Sequence, residues 1–88
     1  MLYGMRVKYT KNAAEDILYF KQNDQKIYLR IKKLIDEIVK TPFKDIGKPE
    51  ALKYGLSGKW SRRITREHRI IYEIKCDQLI IYQCRYHY

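Results

Sequence analysis

Residues 68–86, which read HRIIYEIKCDQLIIYQCRY, contain the clearest strand pattern in the chain. Two runs rich in isoleucine and tyrosine, His68–Lys75 and Gln78–Tyr86, are separated by a short link. β-Branched and aromatic residues on both sides of a short polar link are typical of a β-hairpin. The sequence therefore predicts two antiparallel strands that join near Cys76–Gln78.

The loop length determines which side chains share a face of this hairpin, because directly opposite residues project on the same side. With an odd loop, one face carries no charge: Ile70, Tyr72, Ile74, Ile80, Tyr82, Cys84 and Tyr86. The other face then carries Arg69, Ile71, Glu73, Leu79, Ile81, Gln83, Arg85 and His87. An even loop would mix charged and apolar residues on both faces, so burial favours the odd loop. We therefore expect Arg69, Arg85 and His87 to share the polar face.

Helical periodicity precedes this region. The apolar stripe of a second helix consists of Ile27, Ile31, Leu34, Ile35 and Ile38. This helix should begin after Asn23–Asp24 and end at Thr41, because Pro42 restricts the residue before it. A first helix is predicted over Asn12–Gln22, with either Asn12 or Thr10 as its N-cap.

Strand-like runs at Met5–Tyr9 and Lys59–Thr65 complete the predicted sheet, and a short helix is predicted at Pro49–Tyr54. The whole chain, residues 1–88, is predicted to form a single α+β domain. Its order is a short strand, two antiparallel helices and a three-strand antiparallel meander, with the helices on one face of the sheet.

Positive charge is the main compositional feature, since 19 Lys and Arg against 10 Asp and Glu give a net charge of +9. A small basic domain attracts polyanions, nucleic acid first among them, although charge can also serve solubility alone. The nine tyrosines suit stacking on bases, or else the completion of a thin core.

Several protein classes are excluded or disfavoured. No apolar run approaches the length of a membrane span, so we expect no membrane association, and Met1–Tyr9 is too short and polar for a signal peptide. Cys76 and Cys84 form neither a disulfide framework nor a zinc motif, so we expect reduced thiols in a cytoplasmic protein with no metal and no cofactor.

Three features could carry chemistry. The first is a cationic cluster that binds phosphate or is simply a solvated edge: Lys59, Arg62, Arg63, Arg66 and Arg69. His87 is either a frayed terminal residue or a general acid. Glu50 either favours a helix N-terminus or acts as a general base. A base, an acid and arginines suffice for RNA cleavage, because the 2′-hydroxyl is the internal nucleophile.

Four segments closely resemble the YoeB/Txe family of RelE-like toxins, the toxic halves of bacterial toxin–antitoxin pairs. They are Gly47–Lys53, Leu56–Thr65, Glu67–Tyr72 and Cys84–Tyr88. The resemblance implies a microbial-ribonuclease-like fold and cleavage of mRNA in the ribosomal A site. It also implies a YefM/Phd-like antitoxin and operator DNA binding only as the toxin–antitoxin complex, and it is compatible with a homodimer.

The resemblance also implies roles for individual residues. Glu50 is the expected general base, His87 the expected general acid, and Arg69 the residue that stabilises the scissile phosphate. Tyr88 is expected to complete the site.

Lys53 and Arg63 are expected to assist in phosphate or RNA contact. The sequence departs from the usual family pattern at Ala51, where proline is common, and at Ala14, where tryptophan is common; neither is a catalytic position.

Two alternatives to an enzyme remain, namely a non-catalytic RNA- or ribosome-binding module and a DNA-binding repressor. The second lacks a helix-turn-helix signature with a basic recognition helix.

Overall fold

The described part of the chain forms a five-stranded mixed sheet and two helices. A computed structural model describes residues 5–41, 50–51 and 58–86. Its elements are β1 (Arg6–Tyr9), α1 (Lys11–Asn23), α2 (Gln25–Lys40), β2 (Glu50–Ala51), β3 (Trp60–Arg63), β4 (Arg69–Lys75) and β5 (Gln78–Gln83). The predicted α+β class, with two helices ahead of an antiparallel meander, is confirmed.

The sheet has the strand order β1-β5-β4-β3-β2. β1 lies parallel to β5, with Arg6 opposite Gln78, and the other neighbouring strands are antiparallel. Both helices and the strands β2 to β4 lie between β1 and β5 in the chain, so the parallel pair is not formed by consecutive strands. The first strand thus lies at one edge of the sheet and β2 at the other.

Side-chain caps fix the helix ends. Thr10 is the N-cap of α1, since its Oγ1 accepts from the Ala13 N–H at 3.1 Å and donates to the Tyr82 carbonyl at 2.9 Å. Asn12, the other candidate cap, lies inside the helix. Asp24 caps α2 by accepting from the Ile27 N–H at 3.2 Å. The cap of α1 therefore also ties the helix to β5.

The core lies between the helices and one face of the sheet. Its helical members are Ala13, Phe20, Ile31, Leu34, Ile35 and Ile38, and its members after α2 are Ile64, Ile70, Tyr72, Leu79, Ile81 and Cys84. The predicted stripe of α2 therefore faces the sheet, apart from Ile27, which packs against the core from a partly buried position. Among the described helices, none is long and apolar enough to cross a bilayer.

The predicted odd hairpin loop is wrong. The β4–β5 loop has two residues, Cys76 and Asp77, with φ values of 52° and 60°, and Lys75 lies opposite Gln78. Positive φ at both central residues is the backbone of the two-residue turns whose twist matches that of the strands. Leu79 and Ile81 therefore face the core, not the polar side.

A β-bulge reconciles this even loop with the buried residues farther along the hairpin. The register shifts between Tyr72, which pairs with Ile81, and Ile71, which pairs with Gln83, so β5 carries an extra residue. Such a bulge exchanges the faces beyond it. Both Tyr72 near the turn and Cys84 beyond the bulge consequently lie in the core.

The helix predicted at Pro49–Tyr54 is also contradicted where the structure describes it. Glu50 and Ala51 form β2, opposite Ser61 and Trp60 respectively. Local Pro and Gly signals favoured a helix, whereas pairing with the backbone of β3 favours a strand. The other residues of that prediction lie outside the described residues.

Candidate active site

Arg63 and Arg69 lie directly opposite each other where β3 and β4 meet the turn that joins them. Opposite residues of a sheet have Cβ atoms about 4.5–5.5 Å apart, and like charges in such a pair are unfavourable. Arg63 is exposed and Arg69 partly buried. An anion bound by both guanidinium groups would offset their repulsion, which makes the pair a candidate phosphate site.

The turn between these arginines is tightly hydrogen-bonded. The Thr65 hydroxyl accepts from the backbone N–H of both Glu67 and His68 at 3.1 Å. The His68 carbonyl accepts from Ile64 at 2.9 Å and from Thr65 at 3.1 Å. Arg30 of α2 donates from Nε to the Ile64 carbonyl at 2.9 Å. The spacing of the arginine pair is therefore supported from the helical layer.

Glu50 occupies a register position on the other side of β3 from Arg69. It pairs with Ser61, two residues before Arg63 on the same strand. From the spacings of strands and of residues along them, the Cα atoms of Glu50 and Arg69 are about 12 Å apart. Ser61 is fully buried, and within the described ranges its hydroxyl has no hydrogen-bond partner.

The end of the described chain is held by side chains and by β4 after β5 stops at Gln83. The Cys84 N–H donates to Asp16 Oδ2 at 3.0 Å, and the Tyr86 N–H donates to His68 Nδ1 at 2.8 Å. The Tyr86 carbonyl accepts from the Arg69 N–H at 3.0 Å. The chain is therefore fixed beside Arg69 one residue before His87.

Arg85 does not share the polar face with Arg69, contrary to the sequence prediction. Its guanidinium carbon lies 3.6 Å from the ring centroid of Tyr19 on α1 and 5.0 Å from that of Tyr86. β5 has ended before this point, so strand alternation no longer applies. Cation–π contacts instead place Arg85 at the helical side of the sheet.

Arg62 is not part of a surface cluster either, because it is fully buried on the core face. Its Nε donates to the Tyr72 hydroxyl at 3.2 Å and its Nη2 to the Thr41 carbonyl at the end of α2. A cation at a helix C-terminus interacts favourably with the helix dipole. Arg62 thus joins α2 to the sheet, and strand alternation separates it from Arg63.

Tyr82 of β5 and Cys84, which directly follows β5, both have raised pKa values with clear causes. Burial, and then the negative charge of Asp16, raises the pKa of the Cys84 thiol well above its usual range. The pKa of Tyr82 is raised chiefly because its hydroxyl donates to the Glu73 carboxylate at 2.6 Å. Cys84 is therefore a protonated core thiol at neutral pH, whereas Cys76 is exposed in the turn.

The structure thus brings together Arg63 and Arg69, with Glu50 across β3. The predicted site residues Lys53, His87 and Tyr88 lie outside the described residues. His68 and Asp16 were not singled out from the sequence, because each acts on a residue 18 or 68 positions away. Among the described residues, no group of three or more His, Cys, Asp or Glu side chains could hold a metal ion.

Comparison with known proteins gives a consistent result. A family model described as "YoeB-like toxin of bacterial type II toxin-antitoxin system" matches residues 9–88. Toxin YoeB of Streptomyces coelicolor is 49% identical over 84 residues, which cover 96% of this chain and all of that protein. Toxin YoeB of Escherichia coli K12 is 46% identical with the same coverage.

Solved structures agree. A YoeB/ParE toxin from Agrobacterium tumefaciens superposes with a TM-score of 0.93 at 38% identity, covering 96% of this chain and all of that one. A chain of a YoeB–YefM complex from Staphylococcus aureus superposes with a TM-score of 0.88 at 39% identity, covering 96% of this chain and 98% of that one. The chain therefore belongs to the YoeB-like toxin family of bacterial type II toxin–antitoxin systems.

Proposed function

We propose that this toxin is a ribosome-dependent endoribonuclease that cleaves mRNA in the A site and so inhibits translation in the cytoplasm. The observation that carries the proposal is the opposed pair Arg63–Arg69 with Glu50 across the intervening strand. A pair of guanidinium groups binds one phosphate, and the separation from Glu50 leaves room for the attached ribose.

The proposed reaction is an in-line transesterification. Glu50 removes the proton of the RNA 2′-hydroxyl, and the 2′-oxygen forms a bond to phosphorus. Arg69 stabilises the charge that develops on the phosphate oxygens, and Arg63 and Lys53 assist in holding the RNA. As the bond from phosphorus to the 5′-oxygen breaks, His87 protonates the leaving oxygen, while the Tyr88 ring stacks on a base.

The products follow from this bond balance. One fragment ends in a 2′,3′-cyclic phosphate or its hydrolysed 3′-phosphate, and the other begins with a 5′-hydroxyl. Because the nucleophile belongs to the RNA, the reaction requires neither a metal ion nor a covalent enzyme intermediate.

Partners of the toxin are proposed from the relatives and from charge. Relatives have been solved as a YoeB–YefM complex and as a YoeB dimer from Staphylococcus aureus. We accordingly propose a YefM/Phd-like antitoxin, with which the toxin contacts operator DNA only as a complex, and a homodimer of the free toxin. A polyanionic partner suits a net charge of +9.

The test is primer-extension mapping on translated and untranslated copies of one mRNA with purified toxin. The proposal predicts new 5′ ends only on the translated copy. Glu50→Gln should bind ribosomes without producing ends, whereas Glu15→Gln, which removes an equal charge from an exposed position of α1, should cleave normally. Inhibition of translation with intact mRNA would instead support a non-catalytic ribosome-binding module.

A further inference from the structure

Tyr86 has an unusual backbone conformation for its residue type. Its φ is 62°, in the left-handed region that tyrosine rarely adopts. The Tyr86 N–H donates to His68 Nδ1 and its carbonyl accepts from the Arg69 N–H. An unfavourable conformation of this kind persists only where its surroundings enforce it, and here two consecutive residues, His68 and Arg69, hold both backbone polar groups of Tyr86.

His68 is built into this position. It is 9% exposed, and its ring contacts Phe20 edge-on at 5.0 Å between centroids and Tyr86 at 5.2 Å. Nδ1 is the ring atom that accepts from the Tyr86 N–H. The packing fixes the ring plane, and the ring plane fixes the direction in which Nδ1 accepts.

The hydrogen bond that His68 accepts from Tyr86 and its ring contacts play no part in the reaction proposed above. Tyr86 is followed by His87 and Tyr88, and His68 is followed directly by Arg69. Arg69 is a proposed phosphate ligand, and its neighbour His68 holds the chain that leads to the proposed general acid. We call the hydrogen bond from the Tyr86 N–H to His68 Nδ1 the clamp. A change at His68 would alter the path of the chain without removing any group that contacts RNA.

We propose that His68 is a positioning residue for the catalytic C-terminus, acting through the hydrogen bond from the Tyr86 N–H to its Nδ1. This inference rests on the proposed nuclease function for its kinetic consequence, but not for its structural one. Misplacement of a catalytic group by about 1 Å costs on the order of 100-fold in rate. Loss of the clamp should therefore lower kcat, while the ribosome concentration at half-maximal rate stays nearly constant.

Two isosteric amides separate this role from a general need for a polar residue. His68→Asn places its Oδ1 near the position of Nδ1 and retains the acceptor. His68→Gln extends toward the position of Nε2 and removes the acceptor from the Tyr86 N–H. His68→Phe retains the ring contacts and removes both nitrogens.

Two measurements on these variants test the proposal. The first is hydrogen exchange at the Tyr86 amide by NMR, which needs no enzymatic activity. We expect exchange to be on the order of 10-fold or more faster in His68→Gln and His68→Phe than in the wild type and His68→Asn. The second is the rate of mRNA cleavage, for which we expect kcat about 10–100-fold lower in Gln and Phe, and His68→Asn close to the wild type.

The outcomes are distinguishable. Wild-type exchange at Tyr86 in all three variants, or equal loss of kcat in Asn and Gln, would overturn the proposal. If His68→Phe does not fold, the comparison between Asn and Gln decides. If the wild type cleaves no mRNA, the proposed function fails, whereas the exchange data still determine whether His68 holds the C-terminus.

Discussion

Arg62 offers the strongest test of how this small fold is held together. The residue is fully buried, and its guanidinium donates to the Tyr72 hydroxyl and the Thr41 carbonyl. We predict that Arg62→Met, which retains the length and apolar volume of the side chain, strongly lowers the free energy of unfolding. The reason is that the buried Tyr72 hydroxyl and the partly buried Thr41 carbonyl each lose a charged donor.

Two opposing contributions determine the magnitude. Loss of the charged donor costs each of these acceptors about 1–3 kcal/mol. Replacing a buried charge by an apolar residue can instead stabilise a protein by about 1–4 kcal/mol. The first contribution should exceed the second, because the end of α2 already compensates the charge of Arg62. We expect a net loss of about 2–4 kcal/mol, which lowers Tm by on the order of 10–20 °C in a domain of this size.

Thermal melting by circular dichroism provides the assay, and two variants provide the controls. Tyr72→Phe removes one of the acceptors of the buried guanidinium and should cost about 1–3 kcal/mol. Arg63→Met changes the neighbouring, exposed arginine on the other face and should leave Tm nearly unchanged. A melting temperature of Arg62→Met at or above that of the wild type would show that the cost of burying the guanidinium exceeds its hydrogen bonds, and would refute this reasoning.

Four further predictions concern the site and the cysteines. Arg63→Gln should leave Tm unchanged or slightly higher, since it removes a like-charge pair, yet slow mRNA cleavage; a lower Tm would argue that Arg63 is structural. His87→Gln should lower the cleavage rate roughly 10²–10⁴-fold with little change in ribosome binding, and near-normal cleavage would remove His87 from the mechanism. Deletion of Tyr88 should reduce cleavage while melting and antitoxin affinity stay near those of the wild type; unfolding would place Tyr88 in the core. Alkylation of the native protein should modify Cys76 but not Cys84, because burial and Asp16 raise the pKa of the Cys84 thiol; mass spectrometry showing both thiols modified would contradict this.

Local sequence patterns were sufficient for the helices and for the existence of the meander. The stripe from Ile31 to Ile38 places one face of α2 in the core, and Asp24 separates the two helices. These features depend on residues a few positions apart, so their physics is visible in the sequence.

Features that depend on pairing between distant segments were mispredicted or missed. The predicted register of the hairpin assumed that side chains alternate between the two faces along the whole of both strands. The bulge beside Tyr72 interrupts this alternation, so the hairpin combines an even loop with a buried Cys84. Glu50 was assigned to a helix because the pairing with Ser61 has no local signal. A buried Arg62 cannot be distinguished by composition from its exposed neighbour Arg63.

For the site, the sequence placed Arg63 and Arg69 in one cationic cluster but did not pair them, and the structure shows that they are direct partners across β3 and β4. His68 was missed because strand alternation says nothing about a hydrogen bond to a residue beyond the end of β5. The chemical assignments of Glu50, Arg69 and His87 stay predictions.

The chemistry of the new RNA ends tests the proposed mechanism most directly. Fragments made by the wild-type toxin on translating ribosomes are ligated to a 5′ adaptor with and without prior phosphorylation by polynucleotide kinase. Attack by the 2′-hydroxyl predicts 5′-hydroxyl ends that are ligated only after phosphorylation, and none with Glu50→Gln. Toxin-dependent ends that carry a 5′-phosphate would mean that water is the nucleophile, and would contradict the account.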